Sequence, residues 1–151
     1  MGGVRFHDKK RIIFFINRGN GESFLEQLKE LQDLLIQEWV EQGNKRETFV
    51  KVGPKIIIIL DNASYHKRLD ILQKIKQQFP NIVLEFLPAY SPDFNLIELV
   101  WHSCKEYIAG RLFKSAEELQ NLLEKLLNQG ELVIEWNRKI KNKGNMVNAA
   151  N

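Results

Sequence analysis

The sequence predicts an α/β fold in which helices pack against a sheet. Strand-like and helix-like segments alternate, in the order strand, strand, helix, strand, helix, strand, helix, helix. The run at residues 56–60 is continuously apolar and nearly all isoleucine, which is typical of a strand covered on both faces. With 151 residues, the chain suits a single domain, residues 1–151, that can bury a core without disulfides or a structural metal.

The first half of the chain predicts a hairpin, a long helix and a buried strand. Residues 2–17 form the hairpin, because two short apolar segments flank a polar turn. Ser23 is a candidate cap for a helix whose apolar residues recur at helical spacing as far as Trp39. The buried strand follows a polar connection and ends at Asp61.

The second half predicts one more strand and three helices. A helix over residues 69–79 is stopped by Pro80, and a strand over residues 82–87 ends at Pro88. After a loop, helices are expected near residues 95–109 and 115–128. From about residue 131 to 151 the chain reads as a basic, polar tail.

Composition and charge exclude some classes of protein and favour none strongly. The chain is 44% hydrophobic and 27% charged, as is ordinary for a globular protein. Its single cysteine, Cys104, rules out an internal disulfide and, with no signal peptide in view, favours a reducing, cytoplasmic compartment. No apolar run approaches the roughly 20 residues that cross a bilayer. The net charge of +3 suits a polyanionic partner, but many small enzymes share it.

Asp61 is the first candidate for chemistry. Ligands and metals gather at the carboxyl ends of strands in open α/β sheets, and Asp61 directly follows the most apolar strand. A carboxylate there is anchored by a rigid element. It can equally be a simple turn cap, and position alone does not decide between the two.

Glu98 is the second candidate. If residues 95–107 are helical, Asn95, Glu98, His102 and Lys105 share one face of the helix. Taken alone, this stripe is better explained as a solvated helix surface. The preceding loop shifts the balance, because two prolines stiffen it. A rigid connector that delivers a carboxylate suits a metal site, which tolerates little positional error.

Two segments resemble a known family. Residues 57–66 read IIILDNASYH, and residues 87–101 read LPAYSPDFNLIELVW. Together they resemble the mariner-type (Tc/mariner) superfamily of DDE transposases, in its bacterial insertion-sequence branch. Glu98 lies 37 positions after Asp61 (98 minus 61), close to the short spacing of that group. The resemblance implies a ribonuclease-H-like fold, a mixed sheet flanked by helices.

The resemblance also implies a reaction. Asp61 and Glu98 correspond to the second and third members of an Asp-Asp-Glu triad, which binds two Mg²⁺ or Mn²⁺ ions. Such a metal pair cleaves DNA and transfers strands during transposition. Asn62, His66 and Asn95 are then expected to line the site, although His66 is more simply explained as a structural residue.

The first triad member has no counterpart here. In the family it lies on the first, central strand of the sheet, upstream of a hairpin that resembles residues 2–17. We therefore expect that this strand is missing, that the chain is a truncated or split-frame piece, and that it is weakly active or inactive alone. The alternative is a non-catalytic remnant that binds DNA or associates with an intact transposase.

The resemblance implies transposon-end DNA as the partner, in the bacterial cytoplasm and near the nucleoid, with no membrane association. A homo-oligomer is expected, since a missing central strand would leave sheet edges unpaired. Candidate contacts to the DNA backbone are basic side chains, although for any single lysine a solvated surface charge is the better explanation. These residues are Lys67, Arg68, Lys105, Arg111, Arg138, Lys139, Lys141 and Lys143.

Overall fold

A computed structural model describes residues 1–61, 63–88 and 95–138. The chain divides into two compact units. We call the first, comprising Met1 and residues 14–91, the Asp61 unit, and the second, comprising residues 2–13 and 92–151, the Glu98 unit. Each is described by itself.

The helices and strands alternate much as the sequence predicts. Short 3-10 helices also lie at Arg46–Thr48 and Ser64–Lys67. In chain order the main elements are β1 (Gly2–Val4), β2 (Arg11–Ile13), α1 (Gly21–Glu41), α2 (Phe49–Val52), β3 (Ile56–Leu60), α3 (Leu69–Gln78), β4 (Ile82–Phe86), α4 (Ile97–Ile108) and α5 (Ala116–Leu127).

Helix α1 begins with a capping box. The Asn20 side chain accepts a hydrogen bond from the Ser23 backbone N–H at 2.8 Å, and the Ser23 hydroxyl accepts one from the Asn20 N–H at 3.0 Å. The two contacts satisfy amide groups at the start of the helix. The prediction that Ser23 itself is the cap was wrong by three positions, because the reciprocal pair places Asn20 at the cap.

The core of the Asp61 unit lies between two helices and one face of a sheet. Strands β3 and β4 are parallel, with Ile56 opposite Ile82. Helices α1 and α3 are amphipathic and turn their apolar faces toward this sheet. The buried cluster consists of Phe24, Leu28, Ile71, Ile75, Phe79 and Ile82, with Ile56, Ile58, Leu60 and Leu84 packed against it.

The expectation that β3 is covered on both faces was wrong. Ile57 and Ile59 are 65% and 61% exposed, and Val83 on β4 is also exposed. The reason is that α1 and α3 contact only the face that carries Ile56 and Ile58. A continuous apolar run therefore did not predict its own burial, because burial depends on what the rest of the fold places against the second face.

The core of the Glu98 unit joins the hairpin to α4 and α5. Strands β1 and β2 are antiparallel, with Gly2 opposite Ile13. The Asn128 side chain accepts from the Ile13 N–H at 2.9 Å and donates to the Ile13 carbonyl at 3.0 Å, so the end of α5 is tied to β2. The buried cluster consists of Ile13, Ile97, Val100, Cys104, Leu126, Leu127 and Leu132.

The predicted elements are largely confirmed, with differences at their ends and in the sheet. The described strands form two separate two-stranded sheets, where the sequence predicted one mixed sheet. Helix α2 lies within the connection that was expected to be polar and irregular. In the expected tail, Leu132 is buried and Trp136 packs against the core, while residues 139–151 lie outside the described part. Among the described residues, no helix is both long and apolar enough to span a membrane.

Candidate catalytic carboxylates

Asp61 lies directly after β3, where the rigid strand gives way to a turn. Its side chain is 61% exposed. The Oδ1 atom accepts a hydrogen bond from the Ala63 backbone N–H at 3.1 Å. This contact closes a short turn of the kind that aspartate favours.

His66 approaches the same carboxylate oxygen from the 3-10 helix that follows. Its Nδ1 lies 3.2 Å from Asp61 Oδ1. The residue is only 4% exposed, and neither ring nitrogen forms a well-shaped hydrogen bond with the described residues. Burial lowers the pKa of His66, and the neighbouring Asp61 charge offsets this only in part. The imidazole is therefore mainly neutral near pH 7.

Two aromatic rings hold the imidazole of His66 in place. The centroid of the Phe24 ring lies 4.5 Å from that of His66, and the Tyr65 ring lies 4.2 Å away on an edge-to-face contact. Phe24 is fully buried in the α1 core. The pKa of Tyr65 is raised, first by burial and then by the charge of Asp61. The orientation of His66 thus follows from the packing of α1.

Glu98 lies in the first turn of α4 and is half-buried. Its backbone N–H donates to the Asn95 carbonyl at 3.0 Å. The partial positive charge of a helix N-terminus favours a carboxylate at this position. Asn95 precedes the helix, so the prediction that it shares a helical face with Glu98 was wrong. The turn at residues 95–96 delays the start of α4 to Ile97.

The other side chains on the face of α4 interact within the Glu98 unit. His102 Nε2 lies 3.3 Å from Glu106 Oε1. Arg138 donates to both carboxylate oxygens of Glu106, at 2.6 and 2.8 Å. Arg138, and to a smaller extent His102, lowers the pKa of Glu106. Val100 and Cys104 are buried on the opposite side of the helix, whereas Tyr107 is exposed.

Two of the candidate DNA-contacting residues form ion pairs with carboxylates of the chain. Arg68 pairs with Asp70 at 2.8 Å and with Glu22 at 3.4 Å, and Arg138 is held by Glu106. These carboxylates already neutralise the charge that a phosphate would need. Arg68 and Arg138 are therefore weaker candidates than the sequence suggested.

Three other basic side chains were also predicted to contact DNA. The Lys67 ammonium lies 5.2 Å above the Phe86 ring, and the Arg111 guanidinium lies 4.1 Å above the Tyr107 ring. Lys105 is exposed on α4. Their role in binding DNA stays a prediction, as does that of Lys139, Lys141 and Lys143, which lie outside the described residues.

The metal-binding role of the carboxylates also stays a prediction. Within residues 1–61, 63–88 and 95–138, no group of three or more His, Cys, Asp or Glu side chains is arranged to hold a metal ion. Asn62 lies outside the described residues. Sequence reasoning missed Phe24, because its helical spacing marks it as a core residue and carries no sign that its ring meets His66.

Comparison with known proteins identifies the family. Residues 1–120 match the family described as DDE superfamily endonuclease. The chain therefore belongs to the DDE superfamily endonucleases. The predicted membership of the DDE superfamily is thereby confirmed.

One solved structure and one curated relative are also similar to this chain. The structure titled "Crystal structure of the catalytic domain of Mos1 mariner transposase" shares the fold with a TM-score of 0.55 at 22% identity, over 78% of this chain and 54% of that one. The uncharacterized protein y4pE/y4sA of Sinorhizobium fredii (strain NBRC 101917 / NGR234) is 34% identical over 68 residues. That match covers 44% of this chain and 47% of the relative. The chain thus spans about half the length of both proteins.

Proposed function

We propose that this chain carries part of the catalytic apparatus for metal-dependent DNA cleavage and strand transfer in transposition. The observation that carries the proposal is the placement of two carboxylates in a DDE superfamily endonuclease. Asp61 stands at the carboxyl end of β3, and Glu98 stands in the first turn of α4. Both elements are regular and hydrogen-bonded, so each carboxylate has a defined backbone position.

The chemistry of the two side chains fits Mg²⁺ or Mn²⁺. These hard cations prefer oxygen ligands, and the Asp61 carboxylate is open to solvent, while its contacts to the described residues Ala63 and His66 use Oδ1. When bound, such ions activate a water or a 3′-hydroxyl and stabilise the leaving oxygen of an in-line displacement. In this proposal the carboxylates of Asp61 and Glu98 are ligands of the metal ions.

The proposed substrate is transposon-end DNA, so the proposed location is on bacterial DNA in the cytoplasm. Lys67, Lys105 and Arg111 are the proposed contacts to the phosphate backbone, since their positive charges point to a sequence-independent interaction. Self-association is also proposed. It is supported by the exposed apolar face of β3 and β4 and by the short, two-stranded sheets of the described part.

The experiment is nicking of supercoiled DNA in Mg²⁺ or Mn²⁺, with the unmodified chain, Asp61→Ala and Glu98→Ala. Asp33→Asn is the matched control, because Asp33 is an exposed carboxylate of α1 whose pairing partner is Arg46. We expect slow nicking that both alanine variants abolish and Asp33→Asn retains. Equal nicking by all four proteins would contradict the proposal.

A second candidate is a chain that binds DNA, or an intact transposase, without cleaving. It is supported by the exposed basic side chains of Lys105 and Arg111, whose charge suits a phosphate backbone whether or not the DNA is cleaved. Salt-sensitive DNA binding that is unaffected by Asp61→Ala, with no nicking in any of the proteins, is the result that selects it.

A further inference from the structure

We propose that His66 is a positioning residue that fixes the Asp61 carboxylate by donating its Nδ1–H to Oδ1. The inference rests on the proposed function, because it assumes that Asp61 is a metal ligand. It goes further by assigning a role to a buried side chain that sequence reasoning explained more simply as structural.

The geometry sets a fixed donor beside a movable acceptor. His66 is packed between Phe24 and Tyr65, at 4.5 and 4.2 Å between ring centroids, so the imidazole cannot easily turn. The Asp61 side chain is largely exposed and can rotate. Since Nδ1 and Oδ1 are already 3.2 Å apart, a small rotation of the carboxylate completes the hydrogen bond.

The burial of His66 also supports a hydrogen bond to Asp61. A polar side chain that is buried without a hydrogen-bond partner destabilises the folded chain. Asp61 offers His66 two acceptors, its backbone carbonyl and its carboxylate, and the carboxylate Oδ1 lies 3.2 Å from Nδ1. An ionised carboxylate can only accept, so this hydrogen bond requires a proton on Nδ1.

The arrangement gives Oδ1 two donors, the Ala63 N–H and the His66 Nδ1–H. Neither donor uses Oδ2. Carboxylates that bind metals are commonly oriented by hydrogen bonds of this kind, and removal of such a partner typically weakens metal affinity by about 10–100-fold. The same loss is expected here when the donor on His66 is removed.

Two variants separate positioning from packing. His66→Phe keeps an aromatic ring against Phe24 and Tyr65 but has no donor. His66→Asn loses the ring but places an amide N–H near the former Nδ1. If His66 serves only the core, Phe is the better replacement. If it positions Asp61, Asn is the better replacement for metal binding.

The first measurement is the ¹⁵N shifts of the His66 ring by NMR, which distinguish a protonated from an unprotonated nitrogen. The chain has three histidines, so the signals can be resolved and assigned. We expect a protonated Nδ1. Both shifts should move in Asp61→Ala, which removes the acceptor, and stay in place in the control Asp33→Asn. Unchanged shifts in Asp61→Ala would overturn the proposal.

The second measurement is the Mn²⁺ dissociation constant by calorimetry, with folding of every variant checked by circular dichroism. We expect His66→Phe to bind Mn²⁺ about 10-fold more weakly and His66→Asn to recover part of the loss. Unaltered affinity in folded His66→Phe overturns the positioning role. If the unmodified chain binds no Mn²⁺, the proposed function fails, and the NMR shifts alone then decide whether His66 holds Asp61.

Discussion

The two units hold their carboxylates by different physical means. In the Asp61 unit, the carboxylate follows a strand and depends on side-chain and turn contacts from Ala63 and His66. In the Glu98 unit, the carboxylate lies on a helix whose own backbone hydrogen bonds fix the position. A helix therefore supplies rigidity from local sequence, whereas a strand end needs support from residues that the fold brings to it.

This difference extends to the cores. The support for Asp61 runs through His66 to Phe24, which belongs to the cluster that packs α1 and α3 on the sheet. The core beneath α4 contacts the helix on the side of Val100 and Cys104. We therefore expect core damage in the Asp61 unit to reach its carboxylate. Comparable damage in the Glu98 unit should cost stability alone.

The largest expected effect is that of Phe24→Ala. Truncation of this buried ring should lower the free energy of unfolding by about 3–5 kcal/mol, measured by urea denaturation. It should also shift the His66 ring signals in NMR, because one of the two supporting rings is lost.

The counterpart in the other unit is Leu126→Ala, at another fully buried position. It should lower the free energy of unfolding by about 2–5 kcal/mol and leave the His66 ring signals unshifted. If Phe24→Ala leaves the His66 ring unmoved in a folded protein, the proposed link between the α1 core and Asp61 is wrong.

A smaller effect is expected when the tie between α5 and β2 is removed. Asn128→Ala breaks both hydrogen bonds to Ile13 and should lower the free energy of unfolding, measured by urea denaturation, by about 1–2 kcal/mol. Asn128→Asp keeps the acceptor and loses the donor, so its free energy of unfolding should lie between those of the unmodified chain and Asn128→Ala. The matched variant in the Asp61 unit is Asn81→Ala, which removes buried bonds to Phe49 and Pro54 carbonyls and should cost at least as much. Unchanged stability in Asn128→Ala would show that the tie is dispensable.

The smallest expected effect concerns the exposed pair of Glu106 and Arg138. The pKa of Glu106 is lowered, so its pairing stabilises the folded chain above the unfolded pKa of the carboxyl group. This contribution is lost as the pH falls through the lowered value. Because both side chains are solvent-exposed, Glu106→Gln should leave stability at pH 7 nearly unchanged. It should only reduce the loss of stability as the pH is lowered. A large loss at pH 7 would show that the pair is more than a surface contact.

Most elements could be predicted because their signals are local. Proline and glycine mark the ends of helices, helical spacing marks α1, α3 and α5, and an isoleucine run marks β3. The candidate residues Asp61 and Glu98 also came from local motifs. In each case the residues that carry the signal are neighbours in the chain.

What the sequence did not predict depends on contacts between distant segments. The exposure of Ile57 and Ile59 depends on which helices pack on β3, and the ring contact of Phe24 with His66 joins α1 to a later turn. The pairing of Arg138 with Glu106 spans 32 positions. None of these contacts leaves a periodic pattern in the chain, so sequence reasoning treated Arg138 as a DNA contact and β3 as fully covered.

The most direct test of the central claim is Mn²⁺ broadening of backbone NMR signals. Mn²⁺ is paramagnetic and broadens the resonances of nuclei near the ion. We predict that substoichiometric Mn²⁺ broadens the signals of Ala63 and Leu99, which lie close in the chain to Asp61 and Glu98. Asp61→Ala should weaken the broadening at Ala63, and Glu98→Ala should weaken it at Leu99. Broadening that is unchanged in the two variants would contradict the claim that Asp61 and Glu98 are metal ligands.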